Sequence, residues 1–182
     1  RVLFRSVPGL LMLLVNIGFG CITSFITLSG QEQGIRLVSL YFVVYAIVTL
    51  ATRPVIGRLI DRHGFRVPGL LSCLGTVATL VLIGFAHDVV MLMLAGVVAG
   101  LGIGTAMSVF QTMAVASVEP WRRGVATSTY FIAFDTGIAI GSLLGGTIAD
   151  ALGYSAMYFA VAVFPLIAGI LCLVATSKRA RA

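Results

Sequence analysis

Six runs of apolar residues, at about 7–29, 37–59, 67–86, 89–117, 124–149 and 154–176, occupy most of this sequence. Each is long enough to cross roughly 30 Å of hydrocarbon at about 1.5 Å per residue. Lipid offers a peptide group no hydrogen-bond partner, so a run of this length immersed in it has to be helical. The expected fold is therefore all-α and integral to a membrane, with six transmembrane helices in one domain over residues 1–182. Composition sharpens the point. Hydrophobic residues make up 59% of the chain and charged ones 10%, with mean hydropathy +1.11, where a soluble domain carries roughly 25% charged residues. A soluble fold of 182 residues could not hide that much apolar surface, and no length remains for a separate catalytic domain.

The separators carry helix breakers: Gly30 to Gly34, Gly64 to Pro68, His87-Asp88, Glu119-Pro120-Trp121 and Gly153. Their brevity makes successive helices antiparallel neighbours. The formal charge of +6 does not mark a nucleic-acid binder, because the basic residues sit at the ends of apolar runs and form no polar face. With the N-terminus inside, Arg1, Arg5, Arg53, Arg58, Arg62, Arg66, Arg122, Arg123, Lys178, Arg179 and Arg181 all fall on the inner side. Arg36 alone, of the 12 basic residues, falls outside. The positive-inside rule then predicts a multi-pass protein of the cell membrane with both termini in the cytoplasm. Trp121 and several tyrosines near run ends fit interfacial anchoring.

Cys21, Cys73 and Cys172 lie in separate apolar runs without a CxxC pair, so neither a disulfide framework nor zinc is expected. No cofactor and no metal is expected either. An intramembrane enzyme would need paired aspartates, a Ser–His pair or HExxH. His63 and His87 fall in loops, and Asp135 has no acidic partner within a span. A start at Arg1, with no methionine and no signal-peptide cleavage site, reads as a fragment.

The run Gly57-Arg58-Leu59-Ile60-Asp61-Arg62-His63-Gly64-Phe65 ends the second helix. Gly146-Thr147-Ile148-Ala149-Asp150-Ala151-Leu152-Gly153-Tyr154 ends the fifth. Both read G-x-[LI]-x-D-x-x-G-[FY], about half a chain length apart. Helices one to three and four to six are thus expected to be copies, and an odd number of spans per copy forces inversion. The first copy, with Arg66 directly after it, would lie inside with three arginines and the second outside with none.

Gly57, Leu59, Asp61, Arg62, Gly64 and Arg66 resemble the cytoplasmic signature loop of the major facilitator superfamily, G-x-L-a-D-R-x-G-R-[RK], with Ile60 and Phe65 departing from it. Gly137-Ile138-Ala139-Ile140-Gly141-Ser142-Leu143-Leu144-Gly145-Gly146 resembles the glycine-rich signature of its proton-antiporting exporters, with Ser142 in place of proline. Gly96 stands where an N-terminal half of that type usually has arginine. The resemblance covers essentially the whole chain and implies the C-terminal six-helix half of such a transporter, closest to the drug and metabolite efflux branch. The implied partners are membrane lipids, a small-molecule solute, protons and a missing N-terminal six-helix half, with no nucleic acid.

Within that frame, Gly57, Asp61, Arg62, Gly64 and Arg66 are expected to gate the inner side. Gly137, Gly141 and Gly145, and likewise Gly96, Gly100 and Gly104, are spaced for close helix packing. The first stripe is expected to be at least partly without a helix across it, left open for the missing half. Asp135 is the one acid well inside a span, about 160° around the helix from Gly137 at about 100° per residue. A charge there costs roughly 2.5–3.5 kcal/mol on insertion scales, so Asp135 is expected to face a groove or a partner and to serve proton or substrate coupling. Ser128 and Ser142 extend its polar line, and Asn16, Thr23, Tyr41 and Tyr45 supply others toward a central cavity. The third and last helices, almost without internal charge, are expected to face lipid. We read the chain as effecting alternating-access transport, by proton-coupled efflux of a drug-like compound or metabolite. A solute uptake carrier and a non-transporting membrane scaffold remain open.

Overall fold

The computed structural model describes the backbone of residues 3–179 and the side chains of residues 7–176. Its helices are α1 (Leu3–Glu32), α2 (Leu40–His63), α3 (Arg66–Gly84), α4 (Val89–Ala116), α5 (Arg123–Leu152), α6 (Tyr154–Val161) and α7 (Val163–Arg179), and a 3-10 turn at Pro120–Arg122 leads into α5. Six stretches are long and apolar enough to cross a bilayer, α6 and α7 together making the sixth. The chain is a multi-pass membrane protein. The side chains of Arg1, Arg5, Lys178, Arg179 and Arg181 lie outside the described residues.

Local chemistry sets the boundaries. Asp88 caps α4, its carboxylate accepting the Met91 N–H at 2.7 Å. Gly64 ends α2 at φ 64° with its N–H on the Ile60 carbonyl at 2.8 Å, and Gly153 ends α5 at φ 83° with its N–H on the Ala149 carbonyl at 2.8 Å. The two copies of the sequence motif thus close their helices by the same device, a glycine in a conformation that a Cβ disfavours. The sixth run, continuous in the sequence reading, divides at Ala162. Pro165 lies in the first turn of α7 and has no N–H to return to the Val161 carbonyl. α2 begins at Leu40 and not at 37, because Leu37 takes a left-handed φ of 63°.

α1 packs most extensively on α5, and α2 on α4. Exchanging the first helix with the fourth and the second with the fifth maps one pair onto the other, as an inverted repeat requires. α3 and the sixth span pack on each other and against α4 and α1. Apolar side chains form two clusters. One, around Ile22, Tyr41, Leu80, Ile103 and Tyr158, lies toward the end that carries Glu32 and Asp88. The other, around Met12, Val15, Phe110, Tyr130 and Cys172, lies toward the end that carries the exposed arginines of α2 and α5, called here the basic end.

One expectation needs correction. Gly137, Gly141 and Gly145 are buried and do have a helix across them: α1. A Cβ at Gly137 would stand 2.5 Å from the Leu13 carbonyl oxygen, one at Gly141 would collide with the Ile17 carbonyl, and one at Gly145 would meet Phe25 and Cys21. The stripe is an internal seam because α1 answers it with backbone, Gly20 lying against the Ile138 carbonyl in return. Gly96, Gly100 and Gly104 receive α2 in the same way, at Tyr41, Val48 and Thr49. The third helix buries half of its apolar length within the chain and leaves Leu71 and Leu74 exposed on its other face, whereas only 6% of the apolar stretch of α2 and 17% of that of α5 are buried. α2 and α5 are therefore the uncovered flanks.

Candidate functional site

Between α1, α4 and α5, at the basic end, the helices separate around a cavity of about 660 Å³. α1 contributes Gly9, Leu10 and Leu13, and Ala114 of α4 with Val118 beyond it forms a second wall. α5 contributes Val125, Ala126, Thr129, Tyr130 and Ala133, a set spaced to lie on one side of a helix. Gly9 and Ala133 lie close together in this lining, a Cβ on the glycine falling 3.5 Å from that of the alanine, an ordinary van der Waals distance.

The polar groups in this wall are mostly engaged already. Thr129 donates its hydroxyl proton to the Val125 carbonyl at 2.9 Å, and Tyr130 donates to the Met107 carbonyl at 3.0 Å. Arg122 is the charged residue of the lining, its guanidinium 4.7 Å from the ring centre of the exposed Trp121. Among the described residues, no carboxylate lines the cavity. It can accept a compact apolar body and offers that body the Arg122 cation at its edge.

The residues singled out from the sequence sit elsewhere. Asp135 is exposed on the uncovered flank of α5, roughly 150° around the helix from the cavity-lining set at about 100° per residue. Ser128 shares that flank, its hydroxyl on the Gly124 carbonyl at 3.1 Å. Ser142 ties α5 to α1 through a 2.7 Å contact with the Ser24 hydroxyl. Asn16 is fully buried in the α1–α5 seam, donating from Nδ2 to the Phe134 carbonyl at 3.1 Å, while its Oδ1 has no partner among the described residues. Thr23 bonds within its own helix, to the Phe19 carbonyl at 3.0 Å. Tyr41 and Tyr45 stack with ring centres 6.4 Å apart and turn toward α1 and α4, where Tyr45 meets Phe19 at 5.9 Å and the Met107 sulfur at 3.9 Å. Gly57, Asp61, Arg62, Gly64 and Arg66 are exposed together at the basic end.

Sequence reasoning therefore missed the cavity. Its walls are alanine, glycine, valine and leucine, which look alike whether they pack tightly or leave a gap. The nearest available signal was the run of small residues at Ala126 and Ala133 of α5, with the basic residue Arg122 about one turn before Ala126. Among the described residues, no three His, Cys, Asp or Glu side chains converge to hold a metal ion.

The family model described as Major Facilitator Superfamily matches residues 9–182. An uncharacterized MFS-type transporter of Burkholderia mallei is 30% identical over 99% of this chain, and one of Burkholderia pseudomallei matches to the same extent. A multidrug resistance protein, MdtG of Proteus mirabilis, is 28% identical over 91% of the chain. The chain spans 44% of the Burkholderia proteins and 42% of the Proteus one, a little under half of each relative's length. On the six spans, the twice-used helix-ending motif and a family match covering nearly all of it, this chain belongs to the Major Facilitator Superfamily.

Proposed function

We propose that this chain forms the C-terminal six-helix half of a carrier that moves a small, largely apolar solute across the cell membrane by alternating access. Both termini are cytoplasmic in this reading. The observation that carries it is the cavity between α1, α4 and α5, which lies at the basic end and has the volume of a small-molecule site, roughly 300–1,000 Å³. The concentration of arginines at that end supports a cytoplasmic opening. The little-covered flanks of α2 and α5 support docking of a second six-helix half, in keeping with the greater length of the relatives.

Efflux is the direction we favour, since one relative is named for multidrug resistance. Protons are the proposed coupling ion. Asp135, a mid-span carboxylate on the flank of α5 that a second half would meet, is the proposed proton-coupling group, with Ser128 on the same flank. A mid-span carboxylate left against lipid would bear the cost noted above, which favours a partner or a water-filled cavity across that flank.

The test is transport by the full-length protein in proteoliposomes with an imposed pH gradient. Asp135→Asn is expected to reduce gradient-driven flux at least about tenfold, the scale of losing one proton-transfer group, while leaving solute exchange without a gradient close to normal. Equal flux and equal pH dependence in the variant would reject the coupling role.

A further inference from the structure

We infer that the cavity at the basic end selects amphiphiles that carry one negative charge on an apolar body, with Arg122 as the residue that reads the charge. This deepens the transport reading and rests on it only in treating the cavity as the path of the solute. It differs from what Asp135 alone would suggest, namely a site for cations.

Asp135 lies on the other side of α5 from the cavity, and among the described residues no carboxylate lines it, so an entering cation would find no counter-charge there. The hydroxyl protons of Thr129 and Tyr130 are held by the Val125 and Met107 carbonyls, so neutral solutes seeking a donor would have to break an internal bond. Arg122 is different. Its guanidinium presents several N–H donors in a planar fork that matches carboxylate, sulfonate or phosphate oxygens. The Trp121 ring, 4.7 Å from the guanidinium carbon, accepts no conventional hydrogen bond from it, so the N–H donors remain to be used by a ligand. Leu10, Leu13 and Val125 supply apolar contact for the remainder of the solute.

Two fluorescent probes of nearly the same shape separate the charge from the apolar body: 1-anilinonaphthalene-8-sulfonate, and N-phenyl-1-naphthylamine, which lacks the sulfonate. Saturable binding of each is measured on the full-length protein in nanodiscs of zwitterionic lipid. The sulfonate is expected to bind about tenfold more tightly than the amine, the scale of one charge-assisted contact at a partly hydrated edge. Arg122→Gln should remove that preference and leave the amine within about twofold, which also shows that the variant is folded; Arg122→Lys should keep part of it. Ala126→Trp, which fills the cavity, should abolish saturable binding of both probes. Equal affinity for the two probes, or sulfonate binding that survives Arg122→Gln or Ala126→Trp, overturns the inference. If the probes bind as expected but no solute flux is found in proteoliposomes, the transport reading fails and the assignment of the site stands.

Discussion

At Gly141 a side chain has nowhere to go. The Ile17 carbonyl of α1 occupies the space of its Cβ, and backbone cannot swing aside as the end of a long side chain can. Helices in lipid gain nothing from hydrophobic association and depend on this kind of close contact. Gly141→Val is therefore expected to destabilise the protein by more than about 3 kcal/mol, at the severe end of overpacking. Gly124, at the start of α5, has nothing within 4 Å of its Cβ position. Gly124→Ala should stay within about 0.5 kcal/mol of the parent. Thermal unfolding of the two purified variants side by side checks the pair, and similar melting temperatures would show that the α1–α5 seam is looser than described. Asn16 adds a directional tie to the same seam by holding the Phe134 carbonyl.

Elements repeat the lesson of the residues, most clearly where α2 and α5 stop. Gly64 and Gly153 combine a positive φ with ψ of −162° and 165°, a region populated essentially by glycine. Gly64→Ala and Gly153→Ala are each expected to cost about 1–3 kcal/mol and to cost similar amounts, because the two turns are copies. A large penalty at one and none at the other, read by thermal unfolding, would count against equivalence. The pairing of motif and turn was legible in the sequence because the glycines and their spacing have local consequences. So were the spans, since lipid leaves a long apolar run no structure but a helix. The break at Ala162 was less visible, Pro165 being one proline within an otherwise unbroken run. The glycine stripe of α5 could be assigned to packing, but its expected partner, a second half, was the wrong one, since α1 fills it. Which helix answers it depends on the backbone path of α1, and periodicity does not encode that. For the same reason Asp135 could be placed at mid-depth, whereas the cavity on the other side of its helix could not be found.

Across the whole molecule, α1 and α4 lie at the centre, α3 and the sixth span pack against them, and α2 and α5 form little-covered flanks. Gly57, Asp61, Arg62, Gly64 and Arg66 sit exposed at the basic end of the α2–α3 corner, away from the cavity walls. That position suits control of a conformational change better than contact with solute. Asp61→Asn in the full-length protein is expected to change the rate of interconversion between inward-open and outward-open states severalfold, measured with distance labels. Solute affinity in the binding-competent state should stay within about twofold. A defect confined to affinity would assign the loop to binding instead.

The central claim is that the cavity between α1, α4 and α5 is the solute's path and opens to the cytoplasm. Ala126→Cys, introduced into full-length protein freed of its other cysteines, tests it most directly; Cys21, Cys73 and Cys172 are buried and replaceable by small residues. A membrane-impermeant maleimide should label position 126 in inside-out vesicles, and a transported solute should slow that labelling. Labelling that occurs only with lipid-soluble reagents, or that proceeds equally from both faces without protection by any transported solute, would contradict the account.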